Sequence, residues 1–507
     1  MPEQKQTYDL LIVGGGINGV GIARDAAGRG LSVALCEKDD LAQGTSSRSG
    51  KLIHGGLRYL EYYEFRLVRE ALIEREVLLK SAPHIIWPLR FVLPHSPTDR
   101  PAWLIRLGLF LYDHLGGRET LPGTRAINLQ EDPVGLPIRQ QYKKAFEYSD
   151  CWVDDARLVV VNAVAAKELG AEIFTRTQCT SAYRKGQHWV AELDDNATGR
   201  RKTIHARAIV NAAGPWVNDV VNSVMKQNAT RSVRLVKGSH IVTKKFWKGD
   251  HAYLVQNQDK RVIFINPYLD GLALIGTTDV AFDGEAETVE ADEAEISYLI
   301  AAVNRYFEPE LSRADVLHHF SGVRPLLDDD ADNPSAVTRD YLFEMDGEHN
   351  QPPLLSVYGG KITTFRKLAE HALEKLVPSF PDAGPSWTQS STLPGGDIRG
   401  GSFDEFVKIL ETDFPFLPPS LLNHYGRLYG ARSETILNGA KKIGDLGHQF
   451  SEHLFEAEIR YLVDHEWARS AEDIVERRTK HFLTLTEKQR ADFEAWFSAN
   501  FAKEAVH

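Results

Sequence analysis

The sequence predicts an α/β protein built from a Rossmann-like N-terminal domain, an antiparallel β-sheet cap and an all-α C-terminal domain. The first domain is indicated by residues 8–37, where a strand, a glycine-rich turn, a helix and a second strand follow one another. Apolar runs such as Arg261–Ile265 and Leu272–Gly276 are typical of strands joined by short turns. Beyond Ser402, apolar residues recur at roughly helical spacing, which predicts several helices.

The first strand is predicted at Tyr8–Val13, and Gly14, Gly16 and Gly19 follow it in the pattern GxGxxG. Gly14 allows a tight turn, Gly16 lets the backbone approach a pyrophosphate, and Gly19 lets the helix pack closely on the strand. The helix N-terminus offers unpaired N–H groups to the phosphates. We therefore expect a dinucleotide at this turn.

The end of this helix and the strand after it agree with that expectation. Gly30 follows Arg29 and suits the residue just past a helix C-terminus. The second strand is predicted at Leu31–Cys36 and leads to Glu37, which lies 18 residues after Gly19. An acidic residue at about this distance can accept hydrogen bonds from the ribose hydroxyls of the nucleotide.

Composition excludes several classes of protein. With 43% hydrophobic residues among 507, the chain can bury a large core and is not disordered. The net charge of −11 argues against general nucleic-acid binding, which needs a basic surface. The three cysteines, at positions 36, 151 and 179, form neither a CxxC pattern nor a disulfide framework. A reducing, intracellular compartment is therefore expected. Because the first strand is predicted to start at Tyr8, no signal peptide is expected either.

Three later segments, rich in glycine and small residues, indicate how far the ligand extends. They are Thr45–Tyr59, Ala208–Trp216 and Ser356–Thr364. The last two read as strands that end in a small-residue turn, where backbone can approach a ligand closely. A ligand that needs contacts from all of these segments is long and buried, which favours FAD over NAD.

These stretches also carry a family resemblance that is close to full length. The sequence resembles the FAD-dependent glycerol-3-phosphate dehydrogenases, within the D-amino-acid-oxidase-like flavoproteins. The most specific matching stretches are HGGLRYLE and SGVRPL, beside GGGINGVGIARDAAGRGLSV, FEYSDCWVDDARLV, NAAGPWV, KGSHIV, IGTTD and GGKITTFRKLAEHALE. The resemblance implies an enzyme that oxidises sn-glycerol 3-phosphate to dihydroxyacetone phosphate.

The resemblance implies a Rossmann-like FAD-binding domain with an antiparallel β-sheet substrate cap and an all-α C-terminal domain. We predict that the FAD-binding domain is discontinuous and that the cap is inserted between its parts. The predicted ranges are 8–85, 150–230 and 350–390 for the FAD-binding domain, 86–149 and 231–349 for the cap, and 391–507 for the C-terminal domain.

Noncovalent FAD is the expected cofactor, and no metal site is expected. The C-terminal region also contains no EF-hand loop. The residues expected to contact FAD are Gly14, Gly15, Gly16, Asn18, Gly19, Glu37, Thr45, Ser46, Ser47, Leu52, His54, Gly55, Gly56, Ala213, Gly214, Trp216, Gly359, Gly360, Lys361, Ile362 and Thr363.

A phosphorylated polyol needs cations for its phosphate, and arginine is best suited because its planar fork donates two hydrogen bonds. Arg58, Arg324 and Arg339 lie in the segments HGGLRYL, SGVRPL and VTRDY, where the resemblance implies substrate contacts. Lys361 follows a glycine pair that should reach the flavin ring. Its ammonium could bind the substrate or stabilise the anionic reduced flavin.

The reaction needs a base for the hydroxyl proton, and His240 in KGSH is the first candidate. An unperturbed histidine titrates near neutrality, although a structural role for this residue stays open. His54 is the alternative and could instead contact the flavin. Tyr59 is expected to orient the substrate.

The family passes its electrons to membrane quinone, so contact with a lipid surface is expected. No run of 18 apolar residues lacks a charge, and we expect peripheral attachment to the inner face of the cell membrane, from the cytoplasm. Trp87–Tyr112 interleaves arginines with aromatic and aliphatic residues, as interfacial segments do. A core-packed helix explains the same pattern almost as well. The relatives suggest a homodimer.

Three alternative functions stay open. A glycerol-3-phosphate oxidase would have the same site and use oxygen as its acceptor. A noncatalytic, FAD-stabilised binding protein has no physical need for Arg58, Arg324, Arg339 and Lys361 together. A tRNA-modifying flavoprotein would need a basic surface that the composition does not favour.

Overall fold

The computed structural model describes residues 7–96, 100–328, 340–347 and 351–501. The strands are β1 (Thr7–Val13), β2 (Val33–Cys36), β3 (Leu52–Ile53), β4 (Ile86–His95), β5 (Arg125–Asn128), β6 (Lys144–Val153), β7 (Glu172–Phe174), β8 (Thr177–Lys185), β9 (His188–Asp195), β10 (Arg201–Asn211), β11 (Val233–Lys244), β12 (Ala252–Gln256), β13 (Val262–Tyr268), β14 (Leu272–Gly276), β15 (Val280–Ala281), β16 (Val316–Leu327), β17 (Tyr341–Asp346) and β18 (Leu354–Gly359).

The α-helices alternate with these strands in the first part of the chain and stand alone in the last hundred residues. They are α1 (Ile17–Gly28), α2 (Phe65–Ser81), α3 (Ala102–Leu115), α4 (Asp155–Glu168), α5 (Val217–Asp219), α6 (Glu293–Tyr306), α7 (Phe365–Leu376), α8 (Phe403–Asp413), α9 (Pro419–Tyr429), α10 (Ser433–Ile436), α11 (Glu456–Glu466) and α12 (Glu487–Phe501).

Sheet A is the Rossmann-like sheet, with strand order β17-β18-β10-β1-β2-β7 and an antiparallel extension of β9 and β8 from β10. Strands β1, β2, β10, β18 and β7 run parallel to their neighbours, apart from the antiparallel pair of β17 with β18. Val13 pairs with both Cys36 and Asn211, so the carboxyl ends of three strands meet at one edge. In open α/β sheets, ligands bind at this edge.

The N-terminal unit forms as predicted, because its local signals are strong. Strand β1 is buried on both faces, and α1 follows with a largely buried, small-residue surface that packs against α4 and α7. The helix ends where the backbone N–H of Arg29 donates to the carbonyls of Asp25 and Ala26, and Gly30 takes a φ of +85° just beyond it. The second strand begins two residues later than expected, at Val33.

Sheet B forms the cap, with strand order β15-β11-β14-β13-β12-β4-β6-β3, and with β16 on β11 and β5 on β6. Its pairs are antiparallel except for β12 with β4. Helix α6 covers one face and buries Ile296, Leu299 and Val303 against the sheet. The expected antiparallel cap is confirmed.

Two strands depart from the predicted ranges: β3, from the range 8–85, pairs with β6 in sheet B, and β17 joins sheet A. Tyr341–Asp346 falls within the range 231–349 that the sequence analysis assigned to the cap. Its pairing with β18, from Tyr341 opposite Gly359 to Asp346 opposite Leu354, makes it the edge strand of sheet A instead. A strand without a strong alternating pattern can be assigned to either sheet until its partner is known.

The C-terminal domain contains helices α8 to α12 around its own apolar core, as the sequence predicts. Phe406, Leu421, Tyr425, Ile459 and Phe493 are buried in this core. Its core cluster is separate from those of the two sheets, although Trp467 and Leu483 pack against those cores at the junction. Charged side chains also join the domain to the rest of the molecule.

Buried ion pairs form this junction. The guanidinium of Arg157 on α4 pairs with Glu466 on α11, with one N–O distance of 2.8 Å. Arg478 donates to both oxygens of Asp40, at 2.6 and 2.8 Å. Lys480 pairs with Asp154. Because an unpaired buried charge is costly, these contacts fix how the domain is seated.

The segment Trp87–Tyr112, predicted as an interfacial segment, divides into two parts. Strand β4 is paired on both sides within sheet B, so its residues are structural. Helix α3 lies on the surface, and among the described helices none has the length and apolarity to span a membrane. Trp103, Leu107 and Phe110 of α3 are 68%, 47% and 55% exposed. This spacing places them on one helix face.

Candidate active site

The glycine-rich turn has the space that a pyrophosphate requires. A Cβ on Gly14 would lie 2.6 Å from the Ala212 carbonyl oxygen, and one on Gly19 would lie 1.9 Å from the Gly14 oxygen. These two glycines are therefore needed for close packing. A Cβ on Gly16 would meet only the Ser46 hydroxyl, at 3.2 Å. The room beside Gly16 at the start of α1 is where phosphates can bind.

Glu37 and Asn18 lie beside this turn. Glu37 accepts hydrogen bonds from the backbone N–H groups of Gly15, at 2.7 Å, and Asp39, at 2.9 Å. Burial raises the pKa of this carboxyl, while the two N–H groups act in the opposite direction. Asn18 donates to the Gly359 carbonyl at 3.2 Å, and its own buried Oδ1 has no hydrogen-bond partner. A buried unpaired acceptor beside a nucleotide cradle is suited to a ligand donor.

The other two loops of the predicted FAD site approach the same edge of sheet A. Ala213, Gly214 and Trp216 form a short turn after β10, and Gly214 has a φ of +59° with open space at its Cβ position. Gly359 and Gly360 follow β18 with φ values of +76° and +101°. Both conformations favour glycine, which explains the glycine pair at the end of this strand.

A cavity of about 510 Å³ lies between the two sheets. Five of the six predicted substrate residues line it, together with eight of the predicted FAD residues, Lys361 being in both sets, although they are far apart in sequence. These lining residues are Thr45, Leu52, His54, Gly56, Arg58, Tyr59, His240, Arg324, Gly360, Lys361, Ile362 and Thr363. A cavity of this size suits a flavin ring together with a small substrate.

Arg324 is held in the cavity wall by groups on β14 and the turn after it. Its guanidinium donates to Asp279 Oδ1 at 2.6 Å and to Thr277 Oγ1 at 3.1 Å. Strand β16 carries Arg324 opposite Val236 of β11, so the side chain is fixed at both its backbone and its tip. An arginine oriented in this way presents a planar donor face to an anion.

Lys361 and Tyr59 form a second cationic group on the other side of the cavity. The Lys361 ammonium lies 3.7 Å from the centre of the Tyr59 ring. Arg58 is half-buried nearby, where it donates to the Tyr62 hydroxyl at 3.3 Å. Arg58, Lys361 and Arg324 line one cavity with two further arginines, Arg48 and Arg100. The cavity wall also contains the carboxylates of Glu61 and Asp279, so five cations face two acids, and the excess positive charge attracts an anionic ligand.

His240 is buried on β11, and neither of its ring nitrogens has a hydrogen-bond partner. The ring stacks on Phe320 with the centroids 4.9 Å apart. Burial, followed by the charges of Arg324 and Lys51, lowers its pKa to about 3. The expectation that this group titrates near neutrality is therefore corrected, because burial disfavours the imidazolium. At neutral pH the ring is uncharged and has a nitrogen lone pair available to accept a proton.

His54 is half-buried and, like His240, is neutral at physiological pH. Burial and the charges of Lys361 and Arg75 lower its pKa to about 3. Its backbone N–H donates to Thr363 Oγ1 at 3.2 Å, which ties the loop after β3 to the turn after β18. The backbone N–H of the neighbouring Gly55 donates a hydrogen bond of 2.7 Å to the Tyr112 hydroxyl. His54 therefore lines the cavity between two loops of the predicted flavin site.

The loop that contains Thr45, Ser46 and Ser47 is anchored on both sides. Thr45 donates to the Val323 carbonyl at 2.8 Å, and Ser46 accepts the Ile17 N–H at 3.0 Å. The Ser47 carbonyl accepts a hydrogen bond from the Lys51 ammonium at 3.2 Å. Ser46 thus occupies the helix N-terminus, near the place where the pyrophosphate is expected.

Sequence reasoning missed the side chains that hold the site residues. Asp279, which orients Arg324, and Lys51, which pairs with Asp155 at 2.8 Å, are examples. Although burial opposes its ionisation, Lys51 and Lys480 hold the pKa of Asp155 below its ordinary value. Asp279 is the last residue of the segment IGTTD, so the family resemblance already pointed to the segment that contains it. Arg339, expected to bind phosphate, lies outside the described residues.

Comparison with known proteins identifies the two parts of the chain. The model of the "FAD dependent oxidoreductase" family matches residues 9–366. The model described as "C-terminal domain of alpha-glycerophosphate oxidase" matches residues 386–494. Together they cover both sheets and most of the helical domain.

Individual relatives extend over nearly the whole chain. D-erythritol 1-phosphate dehydrogenase of Brucella abortus is 63% identical, over 97% of this chain and 98% of its own length. Aerobic glycerol-3-phosphate dehydrogenase of Escherichia coli is 52% identical, over 97% of both chains. The glycerol-3-phosphate dehydrogenase of Bacillus halodurans, solved with FAD, has the same fold, with a TM-score of 0.75 at 24% identity, covering 99% of this chain and 95% of its own.

The residues present fit FAD. The space at Gly16, the positive φ values of Gly214, Gly359 and Gly360, and the unpaired Asn18 Oδ1 all lie along the edge of sheet A. The cavity continues from Gly360 toward the cations. A cofactor with a pyrophosphate at one end and a flavin ring at the other matches this arrangement.

Proposed function

The chain belongs to the FAD-dependent oxidoreductase family, and from that premise we propose that it oxidises the secondary alcohol of a short phosphorylated polyol, sn-glycerol 3-phosphate in the first place. The observation that carries the proposal is that Arg58, Arg324 and Lys361 line one cavity together with the buried His240, whose ring nitrogens have no hydrogen-bond partner. The product of this reaction is dihydroxyacetone phosphate. Relatives named for this activity are 48–52% identical to the chain.

Arg324 supports the phosphate end of the proposal. Asp279 and Thr277 fix its guanidinium at 2.6 and 3.1 Å, so little conformational entropy remains to be lost when an anion binds. Arg58 and Lys361 add positive charge to the same cavity. Arg339 is a further candidate on the evidence of its sequence segment alone. A dianionic phosphate is expected to bind between these cations.

His240 is proposed as the group that accepts the hydroxyl proton. Its nitrogens are unpaired and its pKa of about 3 leaves it neutral before the substrate binds. The same positive charge of Arg324 that depresses this pKa would be offset by a bound phosphate. Binding of the substrate would therefore strengthen His240 as a base at the moment it is needed.

Bound FAD supplies an acceptor for the hydride that leaves the carbinol carbon. The chain's own part is to hold the alcohol against the base and to exclude water. Tyr59 packs against Lys361 and can orient the substrate through its ring or its hydroxyl. Lys361, which begins the turn after Gly360, is proposed to favour negative charge in the cavity.

A longer polyol phosphate is the second candidate substrate. The relative named D-erythritol 1-phosphate dehydrogenase is 63% identical to this chain, above the 52% of the relative from Escherichia coli. The two substrates share a phosphate and a secondary alcohol, so the same cations and the same base serve both. The side chains that admit or exclude an additional hydroxymethyl group would decide between them.

Membrane quinone is the proposed electron acceptor, with the protein bound peripherally at the inner face of the cell membrane. The exposed stripe of Trp103, Leu107 and Phe110 on α3 supports this, because an apolar helix face can insert at a lipid interface. Leu107 also lines the cavity, together with Tyr62 and Phe65, whose side chains are exposed too. The stripe therefore continues to the mouth of the cavity. A homodimer is proposed on the family resemblance alone.

Anaerobic titration of the purified, yellow protein tests substrate and cofactor together. Flavin absorbance is followed while sn-glycerol 3-phosphate or D-erythritol 1-phosphate is added. Bleaching at about one equivalent supports the proposal, and the substrate with the larger kcat/KM is the physiological one. Bleaching by neither would contradict it. Peroxide formed on turnover in air, without quinone, would favour the oxidase.

A further inference from the structure

A cluster of histidines and a glutamate lies in the C-terminal domain, outside the cavity described above. His424 comes from the middle of α9, Glu458 from the first turn of α11, and His481 from the turn after residue 480. One nitrogen or oxygen of each residue lies within 4.8 Å of the others. Three separate elements of the domain therefore converge on one point.

Two buried polar atoms of this cluster have no hydrogen-bond partner in the described part of the protein. Glu458 is fully buried, and its Oε2 has no hydrogen-bond partner. His481 is 5% exposed, and its Nε2 is also buried and unpartnered. Leaving two such atoms unsatisfied in one small space is costly unless something is bound between them.

The spacing and the chemistry of these groups match a transition-metal ion. His424 Nε2 and Glu458 Oε1 are 3.2 Å apart. Ligand atoms on a tetrahedral zinc ion, with bonds of about 2.0–2.1 Å, are separated by about 3.3 Å. His481 Nε2, which is buried and has no hydrogen-bond partner, supplies a third donor atom within 4.8 Å of the other two.

A second layer of contacts holds the ligands in place. The Tyr429 hydroxyl donates to Glu458 Oε1 at 2.7 Å, in the manner of the outer partners that orient metal-binding carboxylates. The His453 ring stacks on His424 with the centroids 5.4 Å apart, and the His481 ring lies 5.0 Å from His424 on another side. The cluster is enclosed by rings rather than open to solvent.

We propose that His424, Glu458 and His481 bind a divalent transition-metal ion, with Zn²⁺ as the preferred occupant and a water molecule as its fourth ligand. Two imidazoles and one carboxylate are ligands that zinc accepts, and a hard ion such as Mg²⁺ prefers oxygen ligands. This differs from the expectation of no metal that the sequence analysis gives. The spacing in sequence, 34 and 23 residues between successive ligands, matches no short zinc motif, so the pattern was not visible there.

The position of His481 gives this metal a structural consequence. Lys480, its neighbour, pairs with Asp154, and Arg478 pairs with Asp40. A metal bound at His481 would therefore hold the segment that fastens the C-terminal domain to the rest of the protein. Loss of the metal is expected to loosen this junction and leave the FAD cradle intact.

Metal analysis of the purified holoenzyme tests the proposal directly. Elemental analysis should find about one zinc per chain in the wild type and in His465→Ala, whose histidine is exposed on the same helix, α11. His424→Gln and His481→Ala should lack it. Tyr429→Phe should keep the fold and bind Zn²⁺ about 10- to 100-fold more weakly.

A second measurement needs no variant. Wild-type protein stripped with a chelator should melt at a lower temperature, be cut more readily by protease in the C-terminal domain, and recover both properties when Zn²⁺ is added. Co²⁺ in its place should give the visible bands of a tetrahedral site. If the wild type contains no metal and added Zn²⁺ neither binds nor changes the melting temperature, the proposal is wrong. Equal zinc binding by His424→Gln and His465→Ala would also overturn it.

Discussion

The Lys361 ammonium lies 3.7 Å from the centre of the Tyr59 ring, so two residues some 300 positions apart form one wall of the cavity. Tyr59 belongs to a short turn after Gly56, and Lys361 begins the turn after β18. A cation held over a ring face is restrained in position while keeping its charge. The pair therefore sets where positive charge is presented to the cavity.

Replacing Tyr59 tests this arrangement. Tyr59→Leu should raise the KM for glycerol 3-phosphate by about 2- to 30-fold, since cation–π contacts contribute ~0.5–2 kcal/mol. Tyr59→Phe retains the ring and serves as the control for the ring contact. Steady-state kinetics with both variants measure the effect. If Tyr59→Leu matches the wild type, the ring does not position Lys361.

Arg324→Ala should weaken substrate binding and slow flavin reduction while FAD stays bound. Loss of a desolvated charge contact commonly costs ~2–5 kcal/mol, or roughly 30- to 4,000-fold. Asp279→Asn should have a smaller effect in the same direction, because the guanidinium remains but loses its 2.6 Å partner. Stopped-flow reduction measures both. Rates within twofold of wild type for Arg324→Ala would place Arg324 outside the site.

Gly16 and Gly19 should respond differently to substitution. Gly16→Val should fold but lose FAD, because the only neighbour of its Cβ position is the Ser46 hydroxyl, and the remaining space belongs to the pyrophosphate. Gly19→Ala should not accumulate as folded protein, since its Cβ would lie 1.9 Å from the Gly14 oxygen. Flavin content and circular dichroism distinguish the two. Full flavin in purified Gly16→Val would limit that glycine to a role in the turn.

The low pKa of His240 predicts how stability depends on pH. Its folded pKa of about 3 lies below the unfolded value of about 6.5, so the unfolded chain binds the additional proton as the pH falls. The stability that His240 contributes is therefore present above pH ~6.5 and is lost as the pH falls toward ~3. Between about pH 7.5 and 5 this loss is about 2 kcal/mol.

When the pH is lowered from about 7.5 to 5, the free energy of unfolding of His240→Gln should therefore fall by about 2 kcal/mol less than that of the wild type. His465→Gln, at an exposed position, should behave as wild type does. Urea denaturation at both pH values measures the difference. A His240→Gln variant with the same pH dependence as wild type would show that the native ring is protonated as readily as a free one.

The exposed stripe on α3 predicts the membrane contact. The double variant Trp103→Glu/Leu107→Glu should lose binding to vesicles while it keeps its fold and FAD, because two charges enter the apolar face. Leu136→Glu, at a leucine 79% exposed outside α3, is the matched control. Co-sedimentation with anionic vesicles compares them. Equal binding by all three proteins would place the docking surface elsewhere, and no binding by the wild type would favour the oxidase.

The sequence predicts those parts of the structure that depend on local signals. The strand, glycine turn and helix from Thr7 to Gly28 follow from neighbouring residues alone. The position of β17 does not, because its sheet is decided by a partner strand. The division of Trp87–Tyr112 into a buried strand and a surface helix also depends on what packs against it.

The candidate site divides in the same way. Its residue types came from motif resemblance, but their partners depend on distant parts of the chain. Asp279 reaches Arg324 from 45 residues away, and Asp155 reaches Lys51 from 104. The pKa of His240 depends on burial between two sheets, which no sequence pattern reports.

The ion pairs at the junction of the C-terminal domain predict what happens when the protein is truncated there. If the chain were cut after the second sheet, Asp40 and Asp154 would lose Arg478 and Lys480, and the buried guanidinium of Arg157 would lose Glu466. Removing one partner of a buried pair typically costs ~3–5 kcal/mol. Three such losses are comparable to the whole stability of an average domain. The two regions matched by separate family models therefore stabilise one another, and neither is a promising module for transplantation or truncation.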